Sequence, residues 1–354
     1  MIIEEKVINN PPRQSVFYLD FLRCIAVFAV VAIHVLGPFR YLYGEIPDSQ
    51  WFAATAINAI TRWAVPVFMM ISGALLLSSQ RPFDCEDYLS KRVAKVVLPF
   101  LGWSLIYSFI AGFMVNDRFT GTWSMIETSR VIEHSAKDPV WYHLWFFYDF
   151  IPLYFVIPLL LPVLKKVPPE LMKLLIISWM VLYLMKWLKV ESFLQQNLIL
   201  YTGYLLLGWY LFNRDNSGQL KYWVIAGVSM LIMNTWGSWL LAIETGRYSS
   251  FYMGYKTLNT VIIAAMLFVM AQRYAENIQG KLRILIAVIA KYSLGIYLLH
   301  PLLLIPVRNL DNGFYSWFVS NWLAIPLITV VIVFLSLCSV VLLAKIPLVK
   351  RLVP

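Results

Sequence analysis

Apolar residues along this chain do not alternate with polar ones at short range. They collect in ten long runs separated by polar stretches, at about 17–37, 51–78, 92–116, 142–164, 171–189, 197–213, 222–243, 254–274, 283–306 and 318–346. Crossing the hydrocarbon core of a bilayer takes about 20 mostly apolar helical residues. A backbone in hydrocarbon must satisfy its own hydrogen bonds, which helices do within one segment. The pattern predicts an all-α integral membrane protein, a polytopic bundle of about ten transmembrane helices over residues 17–346. A polar N-terminal tail, residues 1–16, and a short C-terminal tail, residues 347–354, flank it. Runs 171–189 and 197–213 are the shortest and most interrupted. No small-residue cleavage site follows the first run, which is expected to remain as an anchor. No internal repeat of 20–50 residues is evident.

Composition agrees with this pattern. Of 354 residues 60% are hydrophobic, 16% aromatic and 14% charged, and the mean hydropathy is +0.70. Soluble domains carry roughly 25% charge and about 45–50% apolar residues. An ordinary soluble enzyme, a disordered chain and a disulfide scaffold are excluded. The ten runs leave no room for a separate soluble domain. Cys24, Cys85 and Cys338 are far apart and form no C-x-x-C pair, so neither a disulfide framework nor a metal site is expected.

The formal charge of +10 would suggest a nucleic-acid partner in a soluble protein. Here it follows topology instead, because cytoplasmic loops of membrane proteins collect Lys and Arg. With the N-terminus inside, eighteen of the 29 basic residues fall on inner segments and nine on outer ones, and Arg23 and Arg62 lie within runs. This predicts both termini in the cytoplasm, an even number of spans and no nucleic-acid partner.

Ionisable residues inside spans are costly and mostly functional. The first run carries Asp20, Arg23 and His34. Eleven helical residues turn about 1100°, so Arg23 and His34 share a face about 16 Å apart along the axis. A snorkelling Arg and a packing His explain each residue singly, and explain the shared stripe less well. The third run opens with Lys91, Arg92 and Lys95. Arg92 and Lys95 are i and i+3, on one face. They serve either positive-inside topology or a phosphate site facing the cytosol, where Arg forks onto oxygens and Lys adds a point charge. Three of the four histidines, His34, His143 and His300, fall near predicted outer span ends, and His134 falls in an outer loop. Histidine is the usual general base at neutral pH. No H-x-x-x-H spacing supports metal binding. Arg62 and Asp149 both lie within runs. Arg62 either pairs with Asp149 or holds a carbonyl or sugar hydroxyl.

These residues resemble the motifs of acyltransferase family 3, integral-membrane acyltransferases that modify bacterial surface glycans. The resemblance covers nearly the whole chain. It is nearest to the short branch with the O-acetyltransferases of enterobacterial common antigen and exopolysaccharide. Arg23 and His34 fit the family's spacing of Arg, ten residues, His. Arg92 to Lys95 fits its R-x-x-R motif, with Lys in the last place. That departure keeps the charge and weakens bidentate binding there. Val65–Leu76, His143–Tyr148, Gly203–Leu211 and Gly295–Pro301 resemble its other recurrent segments. Asp149 matches no family position.

The resemblance implies an O-acetyltransferase of the bacterial inner membrane. Its donor would be cytosolic acetyl-CoA, or another acyl-CoA. Its acceptor would be a hydroxyl of a surface polysaccharide or lipid-linked glycan at the outer side. No metal is implied. Some relatives carry an added periplasmic hydrolase-like domain that this chain lacks, so either the membrane domain completes transfer or a separate periplasmic partner does. Homo-oligomerisation stays open. In this reading Arg23, Arg92 and Lys95 hold the CoA phosphates. His34 and His300 are the catalytic candidates, with His34 the general base. Arg62, His143 and Tyr297 contact the acceptor sugar. A polytopic transporter or exporter of a glycan or small solute is the alternative that intramembrane Arg, Asp and His also suit.

Overall fold

The computed structural model describes residues 16–115, 118–309 and 318–353. The expected N-terminal tail lies outside the described residues, except for Val16. The chain is built of helices: α1 Phe17–Val35, α2 Asp48–Thr61, α3 Ala64–Leu77, α4 Cys85–Arg92, α5 Leu98–Ala111, α6 Met125–His134, α7 Trp145–Leu164, α8 Pro169–Trp187, α9 Asn197–Phe212, α10 Leu220–Thr245, α11 Leu258–Tyr274, α12 Gly280–Lys291, α13 Ser293–Asn309 and α14 Asn321–Leu343. Between α5 and α6, a two-residue antiparallel ribbon pairs β1 (Met114–Val115) with β2 (Arg118–Phe119).

Seven helical stretches are long and apolar enough to cross a membrane, and an eighth counts if α12 and α13 form one bent span. The ten runs all fall on helices, but not all are long uninterrupted spans. Run 51–78 is two helices, α2 and α3, meeting at Arg62 and Trp63. Run 283–306 bends by 74° at Tyr292. The charges explain the bend. Lys281, Arg283 and Lys291 all sit on α12, and a straight helix would carry Lys291 into hydrocarbon. Every 18-residue window of α8 includes Glu170, Lys173 and Lys186, and α9 has only 16 residues.

α1 packs against α2, α3, α11, α12, α13 and α14. Tyr18, near its start, meets Phe268 of α11 edge to face and its backbone N–H donates to Glu276. The start of α1 therefore lies beside the end of α11. Exposed apolar side chains such as Leu101, Leu105 and Phe109 on α5, and Ile225, Ile232 and Leu240 on α10, mark faces suited to lipid.

The crossing of α3 and α9 is the closest in the bundle. A Cβ on Gly73 would lie 2.0 Å from the carbonyl oxygen of Leu205, and one on Gly208 would lie 2.0 Å from that of Met70. Each helix presents a glycine to the other's backbone. Small residues permit this approach where no hydrophobic effect drives helices together and packing must hold them. Between α10 and α11 the glue is polar: buried Asn259 donates to Asn234 Oδ1 at 2.5 Å and to the Tyr252 carbonyl at 2.8 Å.

The C-terminal tail packs on the bundle. Trp103 Nε1 donates to the Leu352 carbonyl at 2.9 Å, and Val353 is buried.

The α3–α9 crossing carries a prediction. Gly73→Ala or Gly208→Ala should each destabilise the purified protein by about 1–3 kcal/mol or more, the usual cost of overpacking. Thermal unfolding in detergent reads this out as a lowered midpoint. Gly218→Ala, whose Cβ meets nothing within 4 Å, should leave the midpoint unchanged.

Candidate active site

A cavity of about 420 Å³ lies between α1, α3, α7 and α13, within the range of small-molecule sites. Four cations line it: Arg23 from α1, Arg92 and Lys95 from the third run, and Lys291 from the end of α12. Its walls are otherwise largely apolar, and at the far end stand Phe146 and Tyr297. Arg23, Val30 and His34 stand at i, i+7 and i+11. The first two line the cavity, and His34 continues the stripe beyond it.

Local sequence explains how the cations are held. Asp84 caps α4 by accepting from the Asp87 backbone N–H at 2.8 Å. Lys91 pairs with Asp87 at 2.6 Å and is exposed. The helix then widens into a π turn over Val93–Val97 before α5 begins, a feature common at functional sites. The turn carries Lys95, and both Lys95 and Arg92 line the same cavity. Arg92 lies between two rings, 5.4 Å from the Tyr88 centroid and 5.5 Å from that of Tyr154, and its Nε has no hydrogen-bond partner. Pro158 explains this pair. It lacks the N–H that would bond the Tyr154 carbonyl four residues earlier. The Tyr88 hydroxyl donates to that carbonyl at 2.9 Å. A proline in one helix thus fastens the other helix that bears Arg92. Arg23 is tied to Asp20 at 2.7 Å.

Beyond Tyr297 the three histidines converge. His34 Nδ1 and His300 Nε2 are 2.7 Å apart, with ring planes 8° from parallel. The His143 ring centroid lies 6.5 Å from that of His34 and 5.7 Å from that of His300. His300 Nδ1 is 3.2 Å from the Ile296 carbonyl. A carbonyl only accepts, so Nδ1 of His300 carries the proton. In a neutral pair Nε2 of His300 must then accept from Nδ1–H of His34. The lone pair of His34 is left on Nε2, the nitrogen that faces away from His300. His34 is half-buried, whereas His143 and His300 are fully buried. The member with the free lone pair is also the accessible one.

His143 is held differently. The Tyr297 hydroxyl donates to its backbone carbonyl, and the rings of Tyr107, Tyr142 and Tyr297 surround it. Neither ring nitrogen has a partner. A fully buried imidazole with both nitrogens unpaired is costly unless a ligand or water completes it. Among the described residues, no group of three or more His, Cys, Asp or Glu side chains is arranged to hold a metal ion. Two nitrogens on one tetrahedral zinc, at 2.0–2.1 Å each, sit roughly 3.3 Å apart. The 2.7 Å between His34 and His300 is a proton-sharing distance instead.

Arg62 belongs to neither group. It sits at the joint of α2 and α3, buried, with its guanidinium 5.0 Å from the Tyr255 ring. The Arg62–Asp149 ion pair does not form. Asp149 accepts from Asn197 Nδ2 at 2.8 Å, and Asn197 Oδ1 accepts from Lys256 at 2.6 Å. A carboxylate near the start of α7 finds its partners on α9 and the loop before α11. A second, shallower cavity of about 320 Å³ adjoins this cluster, lined by Lys186, Trp187, Lys189, Phe251, Tyr255 and Lys256 among others. Burial lowers the Lys256 ammonium from its ordinary value, Asp149 opposes this and Lys186 adds to it.

Of the sequence candidates, Arg23, Arg92, Lys95 and Tyr297 share one cavity, and His34, His143 and His300 meet just past Tyr297. Arg62 stands apart from both. Four residues around the site escaped the sequence reading: Lys291, Tyr142, Arg40 and Arg308. Three were counted only as basic topology signals. Their one available cue was position, immediately beside a helix break or a helix end.

No curated protein and no solved structure matches the chain. Residues 16–341, from the start of α1 to nearly the end of α14, match the family model for the acyltransferase domain of acyltransferase family 3, and the chain therefore belongs to that family of membrane acyltransferases.

Proposed function

We propose that the protein is an O-acetyltransferase of the bacterial inner membrane, of the branch that modifies enterobacterial common antigen or exopolysaccharide. In this reading it has about ten spans and both termini in the cytoplasm. Acetyl-CoA enters from the cytosol, and a glycan hydroxyl is acetylated at the outer side. The observation that carries the reading is one cavity with four cations, ending at Tyr297, whose ring faces His300, the partner that fixes the free lone pair of His34 by hydrogen bonding. Arg23, Arg92, Lys95 and Lys291 hold the CoA phosphates, where charge-assisted bonds are strong. The pantetheine arm follows the stripe of α1 past Val30. As it stands the cavity stops at Phe146 and Tyr297, so the thioester reaches His34 when these two rings step aside.

His34 Nε2 takes the proton of the acceptor hydroxyl as its oxygen attacks the thioester carbonyl. The tetrahedral intermediate collapses, the C–S bond breaks, and the His34 proton passes to the departing CoA sulfur. His300 is a positioning residue. Its lone pair holds His34 Nδ1–H and so keeps the base on Nε2, much as an aspartate orients the histidine of a serine-protease triad. The N–H of His143, whose ring nitrogens have no hydrogen-bond partner, donates to the developing oxyanion. Arg62 supports the aromatic wall at Tyr255 on the acceptor side. The carrier alternative rested on the same intramembrane charges, and no separate observation favours it.

Substitutions at three residues test this reading. His34→Ala should lower kcat for acetyl transfer by about 10²–10⁴-fold, the usual worth of a general base, while acetyl-CoA binding persists. Labelled acetyl-CoA with purified protein and lipid-linked glycans measures it, and full activity would sink the mechanism. Arg92→Ala should raise the acetyl-CoA KM by about 10–100-fold, equivalent to the roughly 1.5–3 kcal/mol of a hydrogen bond to a charged group. An unchanged KM would remove Arg92 from the donor site. His300→Leu should cut kcat with little change in acetyl-CoA KM. His300→Gln, whose amide oxygen can accept from His34, should recover part of it. Equal loss in both variants would argue against the orienting role.

A further inference from the structure

The end of α1 carries a second pair of cations that the reaction just described does not use. Immediately after His34 the chain turns through Gly37–Tyr41. A Cβ on Gly37 would lie 3.6 Å from Arg308 Nη2 and 3.8 Å from Arg40 Nη2. The two guanidinium nitrogens are therefore no farther apart than the sum of those distances. The Nε atoms of both arginines are buried and have no hydrogen-bond partner. Among the described residues no carboxylate forms a salt bridge with either. Two like charges brought together and partly desolvated, with no anion paired to them among the described residues, are unfavourable.

Part of this arrangement is structural. Arg308 Nη2 donates to the His34 carbonyl at 2.7 Å and caps the negative end of α1. That accounts for one of its nitrogens. It does not account for Arg40, whose loop is pinned by Trp51 Nε1 donating to the Arg40 carbonyl at 3.0 Å. Nor does it account for the two buried Nε atoms. Tyr142 completes the group: its ring centroid lies 4.9 Å from the Arg308 guanidinium carbon and 5.0 Å from the His34 ring centroid. Tyr142 is partly exposed, so this corner is open to a ligand. One ring thus touches both the base and the cation.

We propose that Arg40 and Arg308 form an anion seat beside His34. The seat takes a carboxylate or phosphate group borne by the acceptor glycan, with Tyr142 against the sugar ring. The acceptor is therefore an acidic glycan, and its charge places a neighbouring hydroxyl at His34 Nε2. Planar guanidinium forks suit both oxyanions, and an aromatic face suits the apolar side of a sugar. The inference rests on the acyltransferase reading for its chemistry and on Arg40, Arg308 and Tyr142 for its specificity. The lysine-lined cavity by Tyr255 lies at the same end of the bundle and has the same sign, as an extended acidic chain would require.

The test uses the full chain in nanodiscs and three acceptors: a glucuronic-acid oligosaccharide, its carboxyl-reduced neutral counterpart, and a neutral oligosaccharide carrying a phosphate monoester. Equilibrium binding and acetyl transfer are measured on each. The wild type should prefer at least one charged acceptor by tenfold or more in Kd and KM, and the favoured arm identifies the anion. Arg40→Gln should erase that preference and leave the acetyl-CoA KM unchanged. Arg308→Lys, which keeps a donor for the His34 carbonyl, should weaken the preference. Equal binding of all three acceptors, or of none, overturns the seat, as does a preference that survives Arg40→Gln. A raised acetyl-CoA KM, or a kcat loss equal on all acceptors, also overturns it by moving the arginines to donor or oxyanion duty. Charge-selective binding without any acetyl transfer would instead overturn the acyltransferase reading and leave the seat standing.

Discussion

Hydrocarbon offers neither donors nor acceptors, so each polar atom in this bundle must find its partner in the protein or await one from a ligand. Most of the architecture near the cavity follows from that rule. Pro158 strands the Tyr154 carbonyl, and the hydroxyl of Tyr88 fills it. The same two rings then flank Arg92. The Ile296 carbonyl is reached by His300, which fixes that ring's tautomer and with it the tautomer of His34. Atoms that the protein leaves unpaired stand out against this background. They are the His143 nitrogens and the Nε atoms of Arg92, Arg40, Arg308 and Arg62, together with a few hydroxyls and amides elsewhere. The four arginines and His143 cluster around the cavity, the histidines and the aromatic wall at Tyr255.

How far the sequence could be read depended on the range of each interaction. Periodicity is local, so the Arg23–His34 stripe was legible from residue spacing alone, as was the joint placement of Arg92 and Lys95. The meeting of His34 and His300 spans 266 positions; the predicted topology put both near outer span ends, and the fold brings the two rings into contact. The π turn that carries Lys95 left no mark in the residue pattern of Val93–Val97. The bend at Tyr292 was hidden because α12 and α13 form one apolar run; Lys291 was the sign of it, read only as topology. Arg62 and Asp149 were a reasonable pair by charge. The fold puts Asn197 and Lys256 beside Asp149 instead, a matter of which helices are neighbours.

The glycines illustrate the same limit from another side. Gly73 and Gly208 lie in segments recognisable as recurrent, yet nothing local tells which backbone each admits. Only the packing of α3 on α9 shows that each glycine makes room for the other helix's carbonyl. The crossing places α3, and so the cavity wall at Val65, Phe68 and Ser72, at a fixed distance from α1 and α7.

The division of charge between the two ends of the site has a chemical consequence. Arg23, Arg92, Lys95 and Lys291 meet on one side of Tyr297, and Arg40 and Arg308 meet on the other. An anionic donor and an anionic acceptor can then be held at once without sharing cations, and their mutual repulsion is spread over the length of α1. Tyr297 is the partition. Its hydroxyl is committed to the His143 carbonyl, and its ring packs on Phe146 and faces His300. On the proposed reading, a thioester in the cavity is kept from the half-buried His34 while the partition is closed. Opening it costs one hydrogen bond and the displacement of an aromatic ring. On the proposed reading, the closed partition separates the donor thioester from the base, so hydrolysis of the donor is limited by geometry until the ring moves.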